Sequence, residues 1–589
     1  MTEKPEGVWR KSWKGPYGIL FWFILTAGAS SVLIGLMIGL GLVTRTHASL
    51  GNLLIATAII SICVGLSAAL ASVFIRWLCC WRNFRWFLAS AGCFALLVAL
   101  FYAEEDWRGK RALEKFKHEW ESKGEKFPLI ELAPPPVPDD QNFAMTPIVA
   151  STYGLMLTRG GQFIPPEHRD TNIIDRLKLS INNDKWPTNA GGNWQKAQPI
   201  NLKVLQEYYR NLATKTNLFP VAPQPQSPAA DVLLALSKYD STIEELRQAS
   251  QLPYSRFPLE YDMDNPSAIL LPHLSSMKSC VQELRLRTAA ELQLNQTEKT
   301  LADVQLMLRL ADAIRTEPIL ISHLVRAAQI HLTLQPIWEG LAEHRWSDAQ
   351  LAKLDHELEK LDCLADLQFS MRGERALAFG TIDWLLRPRS NRTTIKSFFS
   401  DVRDSELSLQ DNINAGGHAL MPKGWYYQEE LVIAQIHQRW FLRASDPEKH
   451  LASPQVARDG KQYVDSLPVR PWNFLTRLFL PALSTAERKF TFAQSAVDMA
   501  RVACALERCR LAHGEFPESL NALVPQFIDK FPHDVIGGQP LHYRRTDDGQ
   551  FVLYSIGWNE DDDGGVLALK ESGVVDIEKG DWVWKYPAR

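Results

Sequence analysis

A chain of 589 residues leaves room for a membrane segment and two or three folded domains. A net charge of −3 argues against nucleic acid as the main partner. With 46% apolar residues and 19 Trp, the composition excludes a largely disordered chain.

The first element is an apolar block, residues 17–102. Three membrane-spanning helices are predicted in it, at about 18–43, 53–75 and 86–102, and the first two hold no Asp, Glu, Lys or Arg. At a rise of ~1.5 Å per residue the first covers about 39 Å, more than the ~30 Å hydrocarbon core, so it is expected to tilt. The third is near the lower length limit, and a buried helix of a soluble fold is its competing reading. Lys4, Arg10, Lys11 and Lys14 precede the first span, Arg45 alone lies in the first loop, and Arg76, Arg82 and Arg85 lie in the second. Basic segments stay in the cytoplasm, so the N terminus is expected inside and everything after Tyr102 outside. The basic run Arg108, Lys110, Arg111, Lys115 and Lys117 opposes that assignment. Ser31, Gly35 and Gly39 recur every four residues, a spacing that lets helices approach closely, either within the chain or between two copies.

A domain plan follows: 1–106 transmembrane, 107–228 stalk, Pro-rich linker and irregular segment, 229–387 helical, 388–485 loop-rich connection with helices, and 486–589 a small α+β module. The fold class expected is mainly α. Trp107, Leu113, Phe116 and Trp120 recur at helical spacing and predict a stalk helix. The run Pro134, Pro135, Pro136, Val137, Pro138 favours an extended spacer. In the helical middle, Ser347 with Gln350 makes a capping box ahead of Leu351, Leu354, Leu358 and Leu361 on one face. Leu301, Val304, Leu308 and Ala311 form another such face, and Glu317-Pro318 separates it from the next helix. A repeat array and a plain bundle both fit these helices. His273, His323, His331, His344 and His356 lack the spacing of metal ligands and are expected to be solvated or hydrogen-bonded. Arg372, Glu374 and Arg375 are expected to form an ion-pair network. No short catalytic signature appears, so no catalytic residue is assigned.

The C-terminal stretch carries the most specific signals. A helix is predicted from about Ala486 to His513, with Gly514 as its C-cap. Pro540 to Arg545 and Phe551 to Ser555 read as a hairpin around Asp547-Asp548-Gly549. An acidic loop, Gly557 to Gly565, follows, then Asp576-Ile577 and Gly580 to Trp584. This order resembles the C-terminal part of the major pseudopilins of type II secretion: Gly514, Pro517 and Leu523 match the family's turn, and Tyr554-Ser555-Ile556-Gly557 its strand into the loop. The family's usual Asp after that strand is Asn559 here, and a long insertion separates membrane and module. The resemblance implies a structural calcium site, with Asn559, Asp561, Asp563, Asp576 and Asp581 as candidate ligands. A solvated acidic turn is the competing reading, and no cofactor is otherwise required. The whole layout also resembles uncharacterised membrane-anchored proteins of planctomycete and verrucomicrobial bacteria, a likeness that implies no activity.

The expectation drawn from these features is a protein of the bacterial inner membrane whose extracytoplasmic region docks other envelope proteins. The alternative is an envelope hydrolase acting on a glycan or peptide, with its site in the helical middle. Transport by the spans ranks last, since no span carries a charged residue in its middle.

Overall fold

The computed structural model describes residues 15–39, 50–78, 81–150, 191–216, 219–263, 265–387, 421–468 and 470–587, together with isolated positions between 152 and 190. Two units emerge, Met1–Glu104 and Glu105–Arg589.

The first unit contains α1 (Gly15–Gly39), α2 (Leu50–Leu78) and the apolar part of α3 (Trp81–Glu121). Among the described residues, two helices are long and apolar enough to cross a membrane, through Ala58–Ile75 in α2 and within α3, while the apolar run Ile19–Ser30 in α1 is shorter. The predicted third span, 86–102, is thus part of α3, and the loop after α1 lies outside the described residues. Leu70, Phe94, Leu96 and Leu97 are exposed, as side chains facing lipid would be. Gly65 of α2 lies against α1: a Cβ there would come within 2.9 Å of Phe23 and Ala27. The side chains at Ser31, Gly35 and Gly39 lie outside the described residues.

In the second unit the rest of α3 becomes amphipathic, burying Leu113 and half-burying Phe116 and Trp120. The helices that follow are α4 (Leu202–Thr216), α5 (Pro228–Leu236), α6 (Asp240–Ala249), α7 (Pro272–Gln293), α8 (Thr297–Asp312) and α9 (Leu320–Ala342). Next come α10 (Asp348–Glu359), α11 (Cys363–Leu386), α12 (Lys423–Arg439), α13 (Pro454–Ser466), α14 (Phe474–Leu483) and α15 (Ala486–His513). The capping box is present, with the Gln350 amide N–H donating to Ser347 Oγ at 3.3 Å and the Ser347 N–H to Gln350 Oε1 at 3.0 Å. Leu351, Leu354 and Leu358 are fully buried behind it.

Every residue of α15 from Phe490 to Leu506 except Arg501 is buried. Ala, Val and Met at these positions let other helices close in on all sides. α15 packs against α9, α10 and α11, while α7, α8 and α9 each touch the other two. The middle is thus helical, with α15 running against three of its helices. Gly514 caps α15 at φ +88°.

A three-stranded antiparallel sheet lies on α15, in the order β1 (His542–Arg545), β2 (Phe551–Ser555), β5 (Trp582–Lys585). Leu553 pairs with Tyr543 and with Trp584 in register. β3 (Leu567–Leu569) and β4 (Val575–Gly580) form a separate antiparallel pair. Three observations bear on the domain plan. One apolar cluster runs from Leu113 to Tyr586, so the boundary drawn at 485 has no counterpart in the packing. The described part of 388–485 is largely helical, and residues 388–420, which include Gly416-Gly417, lie outside the described residues. The proline run is flanked by extended backbone at Ala133 and Pro138, and Arg256 donates from Nε to the Pro134 carbonyl at 3.0 Å.

Candidate functional site

The acidic loop was the sequence's candidate. Both oxygens of Asp581 accept backbone N–H groups, from Gly565 at 2.6 Å and Asp563 at 3.3 Å. Asn559 donates its amide to Asp563 at 3.2 Å, and Asp576 accepts the Glu578 N–H at 3.1 Å. Asn559, Asp563 and Asp581 are therefore brought together, while these contacts leave out Asp561 and tie Asp576 to its own strand. Calcium needs six to eight oxygens around one point. No group of three or more His, Cys, Asp and Glu side chains among the described residues is placed to hold a metal. As placed, Asp581 serves as the loop's clamp.

Most of the histidines and arginines that the sequence singled out in the helical middle are engaged inside the fold. Glu317 pairs with His273 at 2.8 Å, accepts the Ser322 hydroxyl, and lends its carbonyl to His323 at 2.9 Å. Arg326 donates from Nε to Asp366 at 2.7 Å. Burial holds the His323 ring below its ordinary pKa, against the pull of Asp366. His331 lies against the rings of Trp194 and Phe492, and burial pushes it down to about 4. His344 bonds Glu507 at 2.9 Å, and His356 is exposed. Arg372 and Arg375 do form ion pairs, at 3.1 and 2.8 Å, but their partner is Glu125 just beyond α3. Glu374 instead accepts the Leu320 N–H at 3.0 Å.

One cleft, of about 530 Å³, has a different chemistry. α3 supplies Phe116 and Trp120, α12 supplies Gln435, Gln438 and Arg439, the following turn supplies Trp440 and Arg443, and α13 supplies Tyr463. Gly460 lets α13 approach Trp440 closely: a Cβ there would be 2.8 Å from the Trp440 side chain. The Trp440 and Tyr463 rings are 6.1 Å apart, and the Arg439 guanidinium lies 5.0 Å over Trp440. Neither Arg439 nor Arg443 forms an ion pair with a described residue. Gln438, only 8% exposed, has its Nε2 buried without a hydrogen-bond partner, and so does Trp440 at Nε1. No Asp or Glu lines the cleft. Its inventory is guanidinium, amide and indole donors between aromatic walls.

A second cleft, about 330 Å³, is lined by Glu339 and Glu343 with Pro199, Ile200 and Gln293 among its walls. Glu339 accepts the Ile200 N–H at 2.9 Å and the Gln335 amide at 2.7 Å. Burial nevertheless pushes its carboxyl up to about 7.

The chain matches no family model, no curated protein and no solved structure. The donor-lined cleft was missed at the level of sequence. The interleaving of Gln438, Arg439, Trp440 and Arg443 was its one local signal. The opposite wall, Trp120, lies more than three hundred residues earlier.

Proposed function

We propose that this chain is a three-span protein of the bacterial inner membrane, with its N terminus in the cytoplasm and its large body outside. The body acts by binding, as a docking protein of the envelope. The observation that carries the binding role is the cleft of about 530 Å³, which offers unpaired donors and stacking surfaces and no carboxylate. The apolar helices α2 and α3 support the membrane anchor. The basic N-terminal tail and second loop support the orientation. The experiment fuses a reporter active only outside the cytoplasm after Arg589, and cross-links the full-length protein in membranes. An active reporter and a specific cross-linked envelope partner are expected. A cytoplasmic C terminus overturns the orientation, and the absence of any specific partner overturns the docking role.

A hydrolase is the second reading, favoured by one observation: Glu339, held protonated to about pH 7 by burial, shares its cleft with Glu343. Two carboxyl groups facing one space, one of them held protonated, are the group types that glycoside cleavage uses as acid and base. Turnover of an envelope polymer, abolished by Glu339→Gln, would install this reading in place of docking.

A further inference from the structure

The geometry points to a carboxylate-bearing saccharide as the ligand of the cleft formed by α3, α12 and α13. The inference rests on the binding role and names its ligand class.

The argument starts from unpaired donors. A buried N–H without an acceptor costs about 1–3 kcal/mol, so folded proteins rarely leave one. Unpartnered buried polar atoms occur elsewhere in this fold too, but here two donors, Gln438 Nε2 and Trp440 Nε1, belong to side chains that line one cleft. Arg439 and Arg443 add two guanidinium groups with no ion-pair partner among the described residues, at the exposed side of the same space. With no Asp or Glu in the lining, the ligand must supply the acceptors and the negative charge. A guanidinium presents a planar fork that matches a carboxylate with two parallel hydrogen bonds.

The walls select the rest of the ligand. Phe116, Trp120, Trp440 and Tyr463 offer ring faces, whose π-clouds are negative. The C–H groups on one face of a pyranose are weakly positive and pack flat on such rings. Each peptide C=O acceptor comes with an N–H that can only donate, and the lining offers few acceptors for it beyond the Gln435 and Gln438 amide oxygens. A sugar hydroxyl accepts as readily as it donates, so it satisfies Gln438 and Trp440. The volume of about 530 Å³ lies within the usual range of small-ligand sites.

The experiment is calorimetric titration of the full-length protein in detergent with trimers of galacturonate and of glucuronate, a neutral maltotriose control, and inorganic phosphate. At least one uronate trimer is expected to bind tenfold or more tighter than maltotriose, more weakly as salt is raised. The double variant Arg439→Gln, Arg443→Gln changes two exposed side chains and should lose tenfold or more without a shift in melting temperature. Trp440→Phe keeps a ring and removes the N–H, and should weaken binding severalfold. Failure of both uronate trimers, equal affinity for maltotriose, or full binding by the double variant overturns the inference. Displacement of a bound uronate by equimolar phosphate also overturns it, since the cleft would then be a bare anion site. If no saccharide binds while the cross-linked partner persists, docking survives and only the ligand class falls. Loss of both removes the docking role as well.

Discussion

Glu283 is buried beside Tyr209 and Tyr239, and burial pushes its carboxyl up to about 8. Tyr209 bonds to it, and the neighbouring Arg285 charge pulls it back only in part. An unfolded glutamate ionises near 4.5. Between about pH 4.5 and 8 the folded chain therefore keeps a proton that the unfolded chain has released. Stability must fall as pH rises through that window and level off above it. Glu283→Gln keeps the shape and the bond to Tyr209 and removes the ionisation. Relative to the parent, its stability should gain about 1.4 kcal/mol per pH unit across the window, roughly 3 kcal/mol by pH 7. Denaturation of both proteins from pH 5 to 9 measures this. Parallel stability profiles would show that Glu283 ionises freely in the fold. His331 has the opposite sign: with its ring pushed down to about 4, its stabilising contribution is lost as pH falls from about 6.5 towards 4.

At the scale of elements, the contact between α3 and α12 depends on two glycines. α12 follows Pro422 and has no side-chain cap of its own. Asp106 of α3 supplies one, accepting the Gly424 N–H at 2.6 Å, and a carboxylate there also complements the positive end of the helix. Gln428 donates to Glu105 at 2.9 Å, and Lys117 reaches Glu430 at 3.2 Å. None of this forms unless the backbones touch: a Cβ on Gly424 would lie 2.0 Å from the Glu105 carbonyl oxygen, and one on Gly109 2.4 Å from that of Gly424. Gly424→Ala should therefore cost about 1–3 kcal/mol or more through forced separation of the helices. A lowered melting temperature with faster hydrogen exchange over residues 423–430 is expected, and an unchanged melting temperature would mean that the helices slide apart freely. Local signals such as these decide what a sequence discloses. Gly514, the Ser347–Gln350 box and the Asp548-Gly549 turn each act within a few residues, so their elements were legible before the structure. Arg372 and Arg375 were read as paired, but Glu125, their partner, lies about 250 residues away and carries no local mark. The cleft was illegible for the same reason, since its two walls meet only through the α3–α12 contact.

At the scale of the whole molecule, the position of α15 tests what the C-terminal hundred residues are. An autonomous module, as the pseudopilin likeness implies, would leave the helical middle intact when removed. The packing argues otherwise. Gln494 of α15 accepts the Cys363 N–H at 2.7 Å, Arg501 pairs with Asp355 at 2.9 Å, and Arg508 pairs with Asp348 at 2.8 Å. Beyond α15, the Trp338 indole donates to the Lys585 carbonyl at 3.0 Å, and the Trp584 ring lies 5.1 Å from Trp194. Deleting 486–589 would expose the faces of α9, α10 and α11 that α15 covers and leave several buried polar groups unpaired. Each large buried side chain uncovered costs roughly 1.5–3 kcal/mol, and a domain has only about 5–15 kcal/mol of net stability. A chain ending at residue 485 should therefore lose its cooperative unfolding transition and bind a hydrophobic dye, and the isolated 486–589 fragment should be unfolded as well. The two pieces co-expressed should regain a single transition, because each supplies the surface the other lacks. A truncated chain that melts cooperatively near the parent's temperature would restore the autonomous module and leave α15 as a helix that merely rests on the helical middle.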